Sequence, residues 1–193
     1  PSSAASDVYK RQHEIRTPLA VIRTYAQVAA AAMEPEERSR ALASVVQASD
    51  RATHLLAQLL TMARLDNDAL TRNFVTCDLR KIAVDVIAEI APHALEKRVE
   101  VMLNEGVSAW VHGEPALLAV LLRNLIDNAV RYSPSETVVA VTIKLADGQV
   151  RLTVSDQGPG IPAHERERVL SRFTRLAGNA APGTGLGLSI ALR

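Results

Sequence analysis

From Ile15 onward the apolar residues of the first segment fall at Ile15, Leu19, Ile22, Ala26, Ala29 and Met33. This 4-3-4-3-4 spacing keeps them on one side of a helix and marks a coiled-coil or bundle seam. Met33-Glu34-Pro35-Glu36-Glu37 breaks it. Pro35 suits a first helical turn, and the two glutamates favour a helix N-terminus. A second helix follows, its stripe made of Leu42, Val45, Val46, Ala52, Leu55, Leu56, Leu59, Leu60 and Ala63, with Leu65-Asp66-Asn67-Asp68 as its exit. Two such helices are half a bundle, so their apolar faces are best buried by a second copy, giving a four-helix homodimer over residues 13–66.

Past a polar connector at 67–76 the pattern changes, and residues 77–193 read as a separate α/β domain. The expected elements are a helix Leu79–Lys97, a strand Val99–Leu103, a helix Glu114–Tyr132 and strands Val138–Leu145 and Val150–Ser155. The Asp147-Gly148 pair between the last two predicts an antiparallel hairpin. Residues 157–182 are rich in Gly, Pro, Ala and charge, with one helical stretch expected near Glu165–Phe173, and read as a mobile cover. Trp110 reads as a core residue.

Composition narrows the function classes. The formal charge of +1 calls for neither nucleic acid nor an anionic membrane as the main partner. The longest uncharged stretches, such as Thr24–Met33, are about half of the roughly 20 apolar residues of a spanning helix, so this piece is expected to be soluble. One cysteine, Cys77, can form no internal disulfide and suits a packing role. His54, His93, His112 and His164 have no metal-ligand spacing and read as structural or solvated.

The chemistry concentrates in three places. The first is His13-Glu14-Ile15-Arg16-Thr17-Pro18-Leu19. At about 100° per residue, His13 lies roughly 140° from the Ile15/Leu19 seam and faces outward. An imidazole is a competent nucleophile toward phosphorus near neutral pH. Glu14 can orient the ring or accept its proton. Thr17 lies one turn on, where its hydroxyl could place a water, and Pro18 should bend the helix. A lone histidine on a coiled coil is ordinarily a solvated surface residue; the rest of the chain makes this one a candidate.

The second is the helix containing Asn124, Asn128 and Arg131, which share one face, with Tyr132 adjoining them. Amide oxygens suit Mg²⁺, which takes its remaining ligands from water and phosphate, and a guanidinium can hold phosphates. The third is a pair of glycine loops, Asp156-Gln157-Gly158-Pro159-Gly160 and Gly183-Thr184-Gly185-Leu186-Gly187. Gly158 and Gly160 permit close backbone approach to a flat ligand. The second loop opens a helix at about Leu186, whose free amides can cradle phosphate. Neither loop fits the dinucleotide fingerprint or a P-loop, and either alone could be a simple turn.

In this order the helical His-Glu-x-x-Thr-Pro, the Asn-x-x-x-Asn helix and the two glycine loops resemble the sensor histidine kinases of two-component signalling. The resemblance covers most of the chain; Ile15 stands where leucine is more usual, a swap that changes no chemistry. It implies an α+β chain: a helical hairpin forming a dimeric four-helix bundle, then an α/β sandwich of the type shared by histidine kinases with gyrase, mismatch-repair and chaperone ATPases, here C-terminally truncated. His13 becomes the phosphoacceptor, Glu14 its acid/base and Thr17 the residue used in dephosphorylating a partner. Asn128 becomes the Mg²⁺ ligand, and Asp156 accepts from the exocyclic amine of adenine. ATP binding falls to Asn124, Asn128, Arg131, Tyr132, Asp156, Gly158, Gly160, Gly183, Thr184, Gly185, Leu186 and Gly187. Arg172-Phe173-Thr174-Arg175 falls in the lid, where Leu170 replaces a second aromatic. The partner implied is a response-regulator receiver domain, and the location a cytoplasmic domain whose parent is anchored in the bacterial inner membrane. Two alternatives stand beside it: an ATPase of the same superfold that switches a partner, and a non-catalytic dimerisation or phosphotransfer module. Residues 1–12 resemble translated adapter or vector sequence, so native sequence is expected from near His13, and the stop soon after Gly187 is expected of a fragment.

Overall fold

The computed structural model describes residues 3–67, 73–104, 106, 108–171, 174 and 185–192; for residues 3–14, 54 and 64–67 it describes the backbone alone. The chain forms two compact units, Pro1–Arg64 and Leu65–Arg193. No helix among the described residues is long and apolar enough to cross a membrane.

The first unit holds α1 (Ser3–Ala31) and most of α2 (Pro35–Asn67). Helix α1 is already formed ten residues ahead of His13, because Ser3–Gln12 contains neither glycine nor proline to stop it. It also runs on through Pro18. Helix α2 starts at Pro35 with Glu36 and Glu37 in its first turn, where they complement the helix dipole. The Arg38 guanidinium donates to the Ala32 carbonyl at 2.9 Å and ties the helix start to the preceding turn. In α2 the residues Ala41, Ala48, Leu55 and Met62 are buried, each seven from the last, which is the period of a packed helical seam. Leu42, Val46, Leu56 and Leu60 remain exposed.

The second unit begins with β1 (Val75–Asp78), α3 (Leu79–Glu96), β2 (Val99–Leu103) and β3 (Trp110–Gly113). It continues with α4 (Pro115–Tyr132), β4 (Thr137–Ala146), β5 (Gln149–Ser155) and α5 (Gly187–Ala191). Strand β4 lies between β2, to which it is parallel, and β5, to which it is antiparallel. Asp147 and Gly148, both at positive φ, make the β4–β5 turn, as the Asp-Gly signal predicts. The core joins helix and sheet. Leu79, Ala83, Val86, Ile90 and Ala94 line one side of α3, Leu122, Ile126, Ala129 and Val130 one side of α4, and Val139, Val141 and Ile143 alternate along β4.

Three sequence expectations need correction. Strands β1 and β3 form an antiparallel pair that the sequence pattern did not reveal; β1 takes Val75 and Thr76 from the expected connector. Trp110 is not a core residue: it sits on β3 with 62% of its surface exposed. The helix expected near Glu165–Phe173 is instead two 3₁₀ turns, Ala163–Glu165 and Arg168–Leu170, with Phe173 outside the described residues. Only Val169 of these turns is buried, and one apolar anchor is too few to offset the cost of nucleating an α-helix.

Charged groups fasten the helix ends. The Lys97 ammonium donates to the Val130 carbonyl at 2.8 Å and to the Arg131 carbonyl, capping the C-terminus of α4 from the end of α3. Burial, and then the nearby positive charge of Arg131, lower the Lys97 pKa below its usual value. Asp78 caps α3: one carboxylate oxygen accepts from the backbone N–H groups of Arg80 at 2.9 Å and of Ala109 at 3.2 Å. Burial opposes that negative charge, but these donors, with Lys81 N–H and the Ser108 hydroxyl, outweigh it and hold the Asp78 pKa below its ordinary 3.8. A depressed carboxyl pKa stabilises the fold above the unfolded-state value and loses that effect as pH falls through the folded-state value. Asp78→Ala should therefore lower the melting temperature at neutral pH, and the gap from wild type should close as pH drops below 3.8. Thermal melts followed by circular dichroism across that range check it; a gap independent of pH would show that the carboxylate charge is not what caps α3.

Candidate functional site

Helix α4 turns a polar face away from the core, and the site is built on it. A cavity of about 230 Å³ is lined by Leu125, Asn128, Ala129 and Tyr132 of α4, by Val154 of β5, and by Asp156, Pro159, Gly160, Ile161, Val169, Thr174, Gly185 and Leu188. Its walls are largely apolar, with Asn128 and Asp156 as polar points. It is smaller than the roughly 300 Å³ at which pockets for whole cofactors begin, so among the described residues it fits a flat ring system better than an entire nucleotide.

The site residues expected from sequence take distinct places. Asn128, Tyr132, Asp156, Gly160 and Gly185 come together around the cavity. Asn124 lies one turn from Asn128 but is buried, its amide nitrogen donating to the Val120 carbonyl at 2.9 Å. Both asparagines face α5: a Cβ on Gly187 would lie 3.2 Å from the Asn124 oxygen and 3.2 Å from the Asn128 nitrogen. Glycine at 187 thus lets α5 close onto the two amides. Leu186 is fully buried, and Gly185 adopts a φ of +69°. Arg131 is not among the cavity-lining residues; its guanidinium pairs with Asp127 at 2.5 Å. Gly183 and Thr184 lie outside the described residues, as do Arg172, Phe173, Arg175 and the side chains of His13 and Glu14. Thr17 is exposed on α1.

The two glycines of the first loop do different things. Gly160 needs its positive φ of +70° and has open space where a Cβ would stand. Gly158 donates its N–H to the Asp156 carboxylate at 2.8 Å, fixing one oxygen of that side chain. It also lies against the Tyr132 backbone, where a Cβ would meet the carbonyl oxygen at 2.9 Å. That approach ties the end of α4 to the loop.

Sequence reasoning left out Asp127, although an Asp four residues before an Arg is an ordinary signal for a helical ion pair. It also missed the apolar wall of Ile161 and Val169, whose isolated positions in a polar loop carry no periodicity. Among the described residues no three His, Cys, Asp or Glu side chains cluster as a metal cage. A divalent ion would find one amide donor at Asn128 and need phosphate and water for the rest, which fits Mg²⁺ held largely by its nucleotide.

An apolar slot between a helix and a glycine loop, with a carboxylate in its lining, defines a class before it defines a protein. Residues 113–193 match the family model of histidine kinase-, DNA gyrase B- and HSP90-like ATPases, and residues 12–68 match the His kinase A phospho-acceptor domain. The sensor protein kinase PmrB of Pseudomonas aeruginosa is 38% identical over 182 residues, covering 94% of this chain and 38% of its own. Among solved structures, the mycobacterial sensor histidine kinase MprB is 31% identical with a TM-score of 0.54, over 62% of this chain and 76% of that one. Acinetobacter baumannii histidine kinase AdeS, at 23% identity, shares the fold with a TM-score of 0.71 over 93% of this chain and 83% of its own. The chain belongs to the sensor histidine kinases. It spans about two fifths of the length of the curated relatives it matches.

The contact between Gly158 and Tyr132 generates a prediction. Gly158→Ala forces a Cβ against a backbone carbonyl that cannot rotate away, and overpacking of this kind costs about 1–3 kcal/mol. Urea unfolding should show a loss of that size; a variant as stable as wild type would mean that the loop shifts freely.

Proposed function

We propose that this chain is the catalytic core of a protein-histidine kinase that autophosphorylates His13 from ATP and passes the phosphoryl group to an aspartate of a response regulator. The observation that carries the reading is the convergence of Asn128, Tyr132, Asp156, Gly160 and Gly185 on one apolar slot, in a chain that also holds the His-Glu-x-x-Thr-Pro helix.

Adenine would lie between the α4 wall and the Ile161/Val169 wall. Its exocyclic amine would donate to the Asp156 carboxylate, one oxygen of which is already fixed by Gly158. Asn128 would supply a protein ligand to Mg²⁺, which neutralises phosphate charge when bound. Nitrogen of the His13 imidazole attacks the γ-phosphorus, the bond to the bridging oxygen of ADP breaks, and Glu14 takes up or orients the ring proton. The phosphoryl group then moves to a carboxylate oxygen of the regulator. Thr17, exposed one turn beyond His13, would position water for removal of that phosphate, which adds a phosphatase activity. Residues 13–66 would form the dimerising phosphotransfer unit, residues 67–76 the linker and residues 77–193 the catalytic unit. Exposed Leu42, Val46, Leu56 and Leu60 support burial of the first unit against a second copy. We place the chain in the cytoplasm, with the membrane anchor in other parts of its parent.

His13→Gln should abolish autophosphorylation and leave ATP affinity within a few-fold, since nucleophile and pocket belong to separate units. Labelled ATP with acid and base treatment of the product reads it; acid-labile phosphate retained in the variant would overturn the assignment.

Thr17→Ala should spare autophosphorylation and slow loss of phosphate from the regulator. The two rates, measured separately, decide: equal loss of both would mean that the variant perturbs the helix instead.

A further inference from the structure

The ion pair on α4 is unusual in where it sits. Arg131 and Asp127 meet at 2.5 Å, and their side chains are only 21% and 19% exposed. On a helix, residues 124, 127, 128 and 131 share one face, so the pair borders the same face as Asn128. Asn128 lines the cavity; neither Asp127 nor Arg131 does. Two opposite charges therefore stand beside an anion-binding candidate, each engaged by the other.

Resting on the nucleotide reading above, we infer that Asp127 attenuates nucleotide affinity: its carboxylate holds the Arg131 guanidinium as an internal counter-ion and yields it only to the anionic phosphates of a bound nucleotide. The pair is joined through one guanidinium nitrogen, whereas phosphate engages a guanidinium through two parallel N–H donors, so a phosphate can outcompete the carboxylate. Lys97 keeps the guanidinium on an anion of either kind. Its ammonium is held on the Arg131 carbonyl, and the repulsion between these two positive charges disfavours an Arg131 that has left Asp127 without reaching a phosphate. A neutral nucleoside offers no such anion and leaves the pair closed. Asp127 thereby weakens the binding of every phosphorylated ligand by the work of opening the pair, and leaves the binding of a neutral nucleoside untouched.

Calorimetric titration of wild type, Asp127→Asn, Arg131→Met and the double variant with adenosine, ADP and ATP in magnesium buffer tests this. Asp127→Asn should tighten ADP and ATP by about threefold or more and leave adenosine unchanged. Arg131→Met should weaken ATP binding more in the Asp127→Asn background than in wild type, because only there is the guanidinium already released. Asp127→Ser, which removes the charge with a shorter side chain, should reproduce the gain. Unchanged or weaker ATP binding in both Asp127 variants would overturn the inference, as would an equal gain for adenosine or strictly additive effects of the two substitutions. If wild type binds none of the three ligands, the nucleotide reading itself fails, and that outcome is distinct from each of these.

Discussion

Helix α4 is constrained on two sides, and the second unit is organised around that fact. Leu122, Ile126 and Val130 are wholly buried in the core shared with α3 and β4. On another side Asn124 is buried as well, and Gly187 brings α5 against it and Asn128. A helix with one buried face can rotate or slide at modest cost; one gripped from both sides cannot, because rotation would move apolar groups toward water or strand a buried amide. The Lys97 ammonium then fixes the last turn by capping the Val130 and Arg131 carbonyls. Asn128 and Tyr132 consequently present to the cavity from a rigid element.

That rigidity explains why the site's architecture was legible where it depends on helix period and illegible where it depends on loops. The gaps of three and four between Leu79, Ala83, Val86, Ile90 and Ala94, and the alternation of Val139, Val141 and Ile143, are burial patterns that a sequence displays directly. The Asp147-Gly148 turn is equally local. Strands β1 and β3 are only four residues each, and their pairing of Thr76 with His112 joins segments far apart in the chain. Nothing in either run alone signals it. Trp110 was misassigned because aromatic size is a guide to burial only on average; here the two-stranded pair leaves that side uncovered. Of the candidate site, the motifs that bring Asn128, Tyr132, Asp156, Gly160 and Gly185 to one cavity were legible, while the packing partners of their neighbours were not. That Gly158 packs on the Tyr132 backbone, and that Arg131 is engaged by Asp127, are tertiary facts.

Several charges in this unit have a backbone or side-chain counterpart. Asp78 sits at an N-terminus, Lys97 at a C-terminus and Arg131 beside a carboxylate. Asp156 has one oxygen tied by the Gly158 N–H. The exposed pair Arg40–Glu36 on α2, by contrast, is of the kind worth a few tenths of a kcal/mol. Under the proposed function, binding a polyphosphate in such a setting would rearrange counter-ions instead of filling a bare positive pocket.

The two units differ in what they need to be stable. The second closes its own core, with Ala83, Leu122, Ile126, Val130, Val139 and Val141 showing no exposure. The first leaves Leu42, Val46, Leu56 and Leu60 in solvent along α2, and apolar side chains of this size contribute about 1.5–3 kcal/mol each only when they are covered. Association with a second copy, as proposed, would tie its stability through mass action to protein concentration, whereas the second unit does not depend on it. In the proposed dimer the helix that carries His13 would come under the control of assembly, while the cavity of the second unit would be governed by its own packing.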